Sequence, residues 1–468
     1  MYPQGMTPAG MTLKSLEVAM KLTDNLSRLF DRSGKTRTGD GILPCELITA
    51  EERAAIKRSF DLYRGKAPWL TASEKGLALA SGIASEIARL TVVEFSATFG
   101  EDTAGKGLKE GLSGLLSRLH THVEYACATG GVIFKPFYDG KHLGAEAVLP
   151  FDFLPLETDG AGQVISCAFL SRIKREGRYY TRIEEHRRIE NGYRITNRAF
   201  VSDLGFDRGQ ACSLGCIWEW GGLSPIVEIA GLSKPLFSYF GIPQGNLSSP
   251  GSPLGVPVFR RAEELIRQAD LQFGRLLWEF EGGELAVDAS EDAFRSDKQG
   301  RPCLPVGKER LYRTNVLDAC SSDNELLKTF SPALRDKSLI NGLNRIIMFV
   351  EDACGIARGS FSDPAEIART ATEVRSMRQR TYSTVCSIQT ALEEALNRLA
   401  EAMNSLAMLY RLWERPAAMS LHFGDGILSD PESDRAAERE DVSCGILSAE
   451  EFKSRWYGSF RKGERHEA

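Results

Sequence analysis

The sequence predicts an α+β protein, from three observations. Period-two patterns gather between residues 132 and 230, after helix-like stretches at 13–30, 74–90 and 107–128. From residue 258 onward helical patterns dominate, interrupted by one small strand-and-loop region at 283–330. Last, Val385, Ile388, Leu392, Leu396, Leu399, Met403, Leu406 and Tyr410 recur at spacings of three and four, which predicts one helix running to about Trp413. About 45 residues at 1.5 Å each would reach roughly 70 Å, so such a helix must lie across a large assembly or in a bundle.

Composition bounds the class. The 468 residues allow about three domains at roughly 150 residues each. Apolar residues make up 42% and charged residues 26%, enough for a normal core and a soluble surface. No apolar run approaches the length of a membrane span, and MYPQGMTPAGMTLKS at the start lacks a secretion signal. The net charge of −5 argues against tight, general binding of nucleic acid, so any contact must be local or weak. Ten scattered cysteines fit a reducing cytosol. Their closest pair, Cys212 and Cys216, lacks the further ligands of a zinc site and is expected to pack as small apolar residues.

In chain order, apolar residues from Leu16 to Leu29 suit an amphipathic helix. LTVVEFSATF at 90–99 reads as a strand, 107–128 as one helix ended by Gly130-Gly131, and 132–138 and 164–170 as strands. Glu190-Asn-Gly192 predicts a hairpin turn between strands at 179–186 and 193–197. GIPQGNLSSPGSPLGVP at 241–257 is the clearest domain boundary. Beyond it, 258–281 reads as a helix stopped by Gly282-Gly283, and 331–354 as a second helix stopped by Gly355. Asp363-Pro-Ala-Glu366 resembles a capping box opening the long helix. The acidic stretch 430–441 is expected to be solvated, with a last helix at 449–457.

Candidate chemistry is sparse. GEDTAGKG at 100–107 follows a predicted strand and precedes a helix, the context of a phosphate-binding loop. Gly107 stands where a Mg²⁺-binding hydroxyl is needed, and Glu101 and Asp102 would repel phosphate, so a polar loop is the stronger reading. A nucleotide-using enzyme built on 100–107 is the alternative. His120 and His122 sit two apart in a helix and face different ways, and His186 and His422 are isolated. Asp152 reads as a surface or turn residue, and Trp218 and Trp220 as core residues of a strand. No catalytic constellation, metal site or cofactor site emerges, which favours a structural or binding protein.

The chain resembles the portal protein of tailed bacteriophages, in the branch found in siphophages and prophages. The matching strings are SPLGVPVF at 252–259, Asp270, WEFE at 278–281, TATEV at 370–374, Ser376 and YST at 382–384. Toward the end come FGDGI at 423–427, Asp430, VSCGI at 442–446 and KSRWY at 453–457. Upstream, ARLTVVEF at 88–95, 179–186 and PLFSYF at 235–240 are similar too, so the likeness spans roughly 75–460.

That resemblance implies the portal fold: an α/β wing at 1–253, stem helices at 254–282 and 331–354, and a small β-containing clip at 283–330 between them. A channel loop would follow at 355–371, then a long wing-to-crown helix at 372–415 and a short C-terminal crown region at 416–468. It implies a ring homo-oligomer, usually of twelve subunits, at one capsid vertex of the virion, assembled in the host cytoplasm. The ring would be a channel for double-stranded DNA in packaging and ejection, without enzymatic activity or a membrane. Its implied partners are the terminase large subunit, a head–tail connector protein, and major capsid and scaffolding proteins. Gly355, Arg358, Gly359, Ser360 and Ser362 would form a mobile loop around DNA, and Arg267, Asp270, Glu279 and Arg345 would lie on the stem and channel. Residues 255–300 hold six basic and ten acidic side chains. A wall of that balance lets DNA slide, since each neutralised phosphate adds affinity.

Overall fold

The computed structural model describes residues 48–71, 74–204, 209–247, 249–290, 312–315, 327–363, 371–424, 431–444, 448 and 452. The helix expected at 13–30, the capping box at 363–366 apart from Asp363, and the helix expected at 449–457 apart from Phe452 lie outside these residues. Within them the protein is α+β.

Helix α1 (Ala50–Tyr63) opens with a reciprocal cap: Glu52 N–H donates to Thr49 Oγ1 at 3.1 Å, and Thr49 N–H donates to Glu52 at 2.8 Å. Helix α2 (Leu79–Val92) extends past the point where the sequence predicts a strand. Buried Thr91 donates its hydroxyl to Ile87 O at 2.7 Å and so is satisfied within the helix, where tertiary packing overrides the β preference of this stretch. Only Ser96–Phe99 (β1) is strand, and it pairs with a segment more than 300 residues away.

The single helix expected at 107–128 is two, α3 (Thr103–Leu116) and α4 (Leu119–Thr129). The chain bends at 117–118, so that α4 packs on α2. The glycines of α3 permit close approach, since a Cβ on Gly111 would lie 2.9 Å from Leu143 O.

Strands β2 (Gly131–Tyr138), β3 (Leu143–Val148) and β10 (Ser238–Gly241) form one antiparallel sheet in the order β10-β2-β3. Between them in sequence lie β4 (Phe153–Thr158), β5 (Val164–Arg175), β6 (Arg178–Ile189), β7 (Gly192–Ser202), β8 (Gln210–Cys212) and β9 (Ile226–Ala230). These make a second antiparallel sheet, β4-β5-β6-β7-β8, with β9 also on β7. The expected hairpin turn is present, with Ile189 opposite Gly192. The two tryptophans are not strand residues. They lie in turns after a 3₁₀ turn at Leu214–Cys216, and while Trp220 is buried, Trp218 is 52% exposed.

The Gly/Pro-rich stretch 241–257 is anchored at both ends. Ile242 N–H donates to Gly130 O and Val258 N–H to Cys127 O, both at 2.9 Å. Gly255 lies so close to Gly130 that a Cβ on either would collide with the other's carbonyl. Ile242, Val258 and Phe259 are buried in the same apolar core as α2, α3 and α4.

After a 3₁₀ turn at Arg260–Ala262 comes α5 (Glu263–Gly282). A small sheet follows, with β11 (Ala286–Ser290) between parallel β12 (Tyr312–Asn315) and antiparallel β13 (Leu327–Phe330). Helix α6 (Asp336–Cys354) then returns along α5. Residues 331–335, expected to be helical, are not.

Helix α7 (Ala371–Leu409) has 39 residues, about 58 Å at 1.5 Å each. Val385, Ile388, Leu392, Leu396, Leu399 and Met403 are buried as the spacing predicts. The helix stops before Trp413 because Arg411 takes a left-handed conformation (φ 57°). The chain turns back, and Trp413 Nε1–H donates to Asn404 Oδ1 at 3.2 Å. Tyr410 is therefore off the buried stripe and 53% exposed. Strand β14 (Met419–His422) pairs with β1, and the stretch expected to be a solvated tail is helix α8 (Pro431–Ser443), with proline at its first position.

Candidate functional site

Helices α5 and α6 form an antiparallel pair with the small sheet between them in sequence. Glu279 of α5 binds Arg335, just before α6: Arg335 Nη2–H and Nε–H donate at 2.6 and 3.1 Å, and its backbone N–H at 3.0 Å. These bonds hold the Glu279 carboxyl down at about 2. Further along, Gln272 donates to Leu339 O, fixing the register of the pair.

Of the other residues expected on the stem, Asp270 points inward. It is buried and accepts from Trp69 Nε1–H at 2.9 Å and Leu77 N–H at 2.8 Å, tying α5 to residues 69–77. Arg267 is exposed and pairs with Glu264 at 3.0 Å. Arg345 is exposed, with its guanidinium 5.4 Å from the Phe349 ring centre. Of the four, Arg267 and Arg345 offer charge to the outside.

Apolar side chains also face out from this pair. On α5 they are Leu277, Trp278 (67% exposed) and Phe280; on α6, Ile340 and Phe349. Leu285, Phe330 and Leu334 extend them to the edge of the small sheet. The inner faces meanwhile bury Ile266, Ala269, Leu276, Leu343 and Val350 in the main core.

The turn after α6 differs from expectation. Gly355 takes the left-handed conformation (φ 71°) that ends α6, as its sequence position predicts. Residues 355–363, however, are held by a dense set of hydrogen bonds. The carboxylate of Glu351, fully buried, accepts from Phe361 N–H (2.6 Å), Ser362 N–H (3.0 Å), Gly359 N–H (3.1 Å) and Ser362 Oγ–H (2.7 Å). Asn344 Oδ1 accepts from Asp363 N–H at 2.7 Å. Two α7 threonines close the other side: Thr381 Oγ1 accepts from Ala357 N–H, and Thr384 Oγ1–H donates to Gly355 O. Phe361 reaches the main core beside Gly82 of α2. Ser360 donates to Ala357 O, and Ser362 is buried.

Arg358 is likewise engaged. Its guanidinium donates to Asp352 through Nη2 at 2.6 Å and Nε at 3.2 Å, which raises its already high pKa. Asp352 also takes Arg380 of α7 at 2.8 Å. Of the expected loop, 364–370 lies outside the described residues. Sequence reading offers Glu351 or Asp363 as a carboxylate that pairs with Arg358 and fixes the loop; the structure gives that pairing to Asp352, and Glu351 instead accepts the amides of the turn. The available signal was a pair of carboxylates in the last turn of a helix, followed by Gly, Ser and Arg.

Segment 100–107 is built as a helix start. Asp102 caps α3 by accepting Gly105 N–H at 2.9 Å, so a carboxylate sits where a phosphate would bind. Gly105 is needed because a Cβ there would collide with Gly100 O, and Gly107 because one would press on Trp413. Titration with MgATP is expected to give no saturable binding, with the wild type and Lys106→Ala indistinguishable. Micromolar affinity lost in that variant would restore the nucleotide-enzyme reading.

The remaining candidates are structural. His120 pairs with Glu124 at 3.8 Å, and burial pushes His122 down to about 4. Asp152 is half-buried rather than a free surface group: burial raises its carboxyl to about 6, with Arg172 opposing. His186 is not isolated but bonds Glu184 and Tyr193. Among the described residues no group of three or more His, Cys, Asp or Glu could hold a metal ion, and no helix is long and apolar enough to cross a membrane. No protein-family model matches the chain, and no curated protein sequence does.

Proposed function

We propose that this chain is the subunit of a phage portal: a non-enzymatic ring at one capsid vertex through which double-stranded DNA is packaged and ejected. The observation that supports it best is the α5–small sheet–α6 unit, which shows outward apolar residues on both helices. A lone protomer leaves these side chains in water, from which their removal is favourable. A closed ring of identical copies buries them, each subunit offering one flank to the next. The α5/α6 pair is then the stem and the small sheet the clip. The clip is the face for the terminase large subunit and the head–tail connector, with capsid and scaffolding proteins on the outside of the ring.

The exposed charges of the stem suit passage rather than capture. Arg267 stands beside Glu264, and the chain as a whole is acidic. Paired arginines of this kind hold phosphate weakly and are screened by salt. Sedimentation of the purified chain tests the reading. Twelve copies of 51.6 kDa give about 620 kDa, and a protein that stays at protomer mass at micromolar concentration removes its basis.

A further inference from the structure

A buried polar network joins the two sheets of the first half of the chain, away from the α5/α6 pair. Glu184 of β6 is its anion. Lys135 of β2 donates to Glu184 Oε2 at 2.7 Å and Arg182 donates to the same oxygen at 2.8 Å, while His186 Nε2 lies 2.8 Å from Oε1. Tyr193 Oη of β7 is 3.2 Å from His186 Nδ1 and accepts Leu236 N–H at 3.3 Å. Tyr193 is fully buried and His186 nearly so.

This geometry assigns the protons. Tyr193 Oη accepts from Leu236, so its own hydrogen is available to His186 Nδ1. Nε2–H then donates to Glu184. The imidazole is neutral, and both of its nitrogens and the Tyr193 hydroxyl are satisfied. Leu236 lies two residues before β10, where Ser238 donates to Ala395 O of the long helix α7 at 2.7 Å. The network therefore connects the six-stranded sheet, through Lys135 and Leu236, to the sheet that α7 packs on.

We propose that this network is an acid-released latch: protonation of His186 takes away the acceptor of the Tyr193 hydroxyl and loosens the six-stranded sheet from β10 and β2. The groups facing the imidazole are Glu184 and Arg182 on its own strand, Lys135 from β2, Tyr193 from β7 and Cys167 from β5. Protonation would set three cations around one carboxylate. It would also reverse the contact, so that Nδ1–H donates to Tyr193 Oη and the phenol hydrogen loses its acceptor in a buried site.

The direction of the shift agrees. Burial pushes His186 below its ordinary 6.5, with Lys135 and Arg182 adding to burial and Glu184 opposing it. Burial works against the charge of Glu184, but Lys135, His186 and Arg182 override it and hold that carboxyl well below its usual range. Glu184 therefore stays charged throughout. A histidine depressed in the folded state stabilises the fold above its unfolded value, and the contribution is lost as pH falls below about 6.5.

Hydrogen exchange of the full chain from pH 7.5 to 4.5, corrected for intrinsic rates, tests the latch at the Leu236 amide. In the wild type the opening constant at 232–238 is expected to rise by up to about tenfold per pH unit below 6.5. In His186→Gln it is expected to stay flat. A flat wild-type profile, or a variant that follows the wild type, overturns the proposal. If His186→Gln does not fold, Lys135→Met replaces it. Removing one cation must move the wild-type midpoint upward in pH, and an unmoved midpoint overturns the proposal as well.

Discussion

Glu351→Ala is expected to lower the stability of the protomer by about 3–5 kcal/mol, read as a fall in the urea midpoint at unchanged slope. The carboxylate is fully buried and accepts three backbone N–H groups and one hydroxyl from 359–362. Truncation leaves the Phe361 and Ser362 amides without acceptors in a closed site. Each such orphan costs about 1–3 kcal/mol. Gly359 is less affected, because its N–H also reaches Ser362 Oγ at 2.9 Å. Glu351→Gln is expected to recover much of that loss, since Oε1 accepts both the Phe361 and Ser362 amides and an NH₂ in place of Oε2 can donate to Ser362 Oγ. Asp352→Ala is the control. Its carboxylate pairs with exposed arginines, Arg358 and Arg380, and exposed pairs contribute less than about 1 kcal/mol. Equal losses from the two substitutions would contradict the assignment of Glu351 as the organiser of the turn.

Trp278→Glu is expected to abolish assembly while leaving the protomer folded. Trp278 is 67% exposed, so its replacement removes little intramolecular packing, and unfolding should move by less than about 0.5 kcal/mol. In the assembled ring the same position would be desolvated between subunits. Tryptophans at such positions dominate interface energies, and a buried carboxylate there has no partner. Trp218→Glu is the matching control, an exposed tryptophan far along the chain from the α5/α6 pair. The expected sedimentation pattern is a large species for wild type and Trp218→Glu, and protomer for Trp278→Glu. If Trp278→Glu assembles like the wild type, the α5 face is not the subunit contact.

Much of the architecture is legible in the sequence because it rests on local rules. The 189–192 hairpin, the glycine stop at 355 and the buried stripe of α7 all follow from turn chemistry and helical spacing. The misread elements turn on partners distant in sequence. Thr91 to Val93 carry strand propensity, but α2 is packed against α4 and Thr91 is satisfied within the helix. Nor does composition reveal that Gly255, in the stretch 241–257, must be glycine because it meets Gly130. The turn at 355–363 shows the same ambiguity. Gly and Ser serve a mobile loop and a tightly bonded one equally well, and the deciding group, Glu351, sits on the preceding helix with an orientation that spacing does not reveal. Trp218 differs from its expected core position for a related reason: which way a side chain of a turn faces depends on what covers it.

The central claim is that this chain closes into a ring around a DNA-sized channel. Single-particle imaging of the purified protein tests it most directly. The expected result is a closed ring of identical subunits with a central opening wide enough to admit a B-form duplex, with α5 and α6 facing that opening. Protomers, two-fold dimers or open filaments at the same concentration would contradict it.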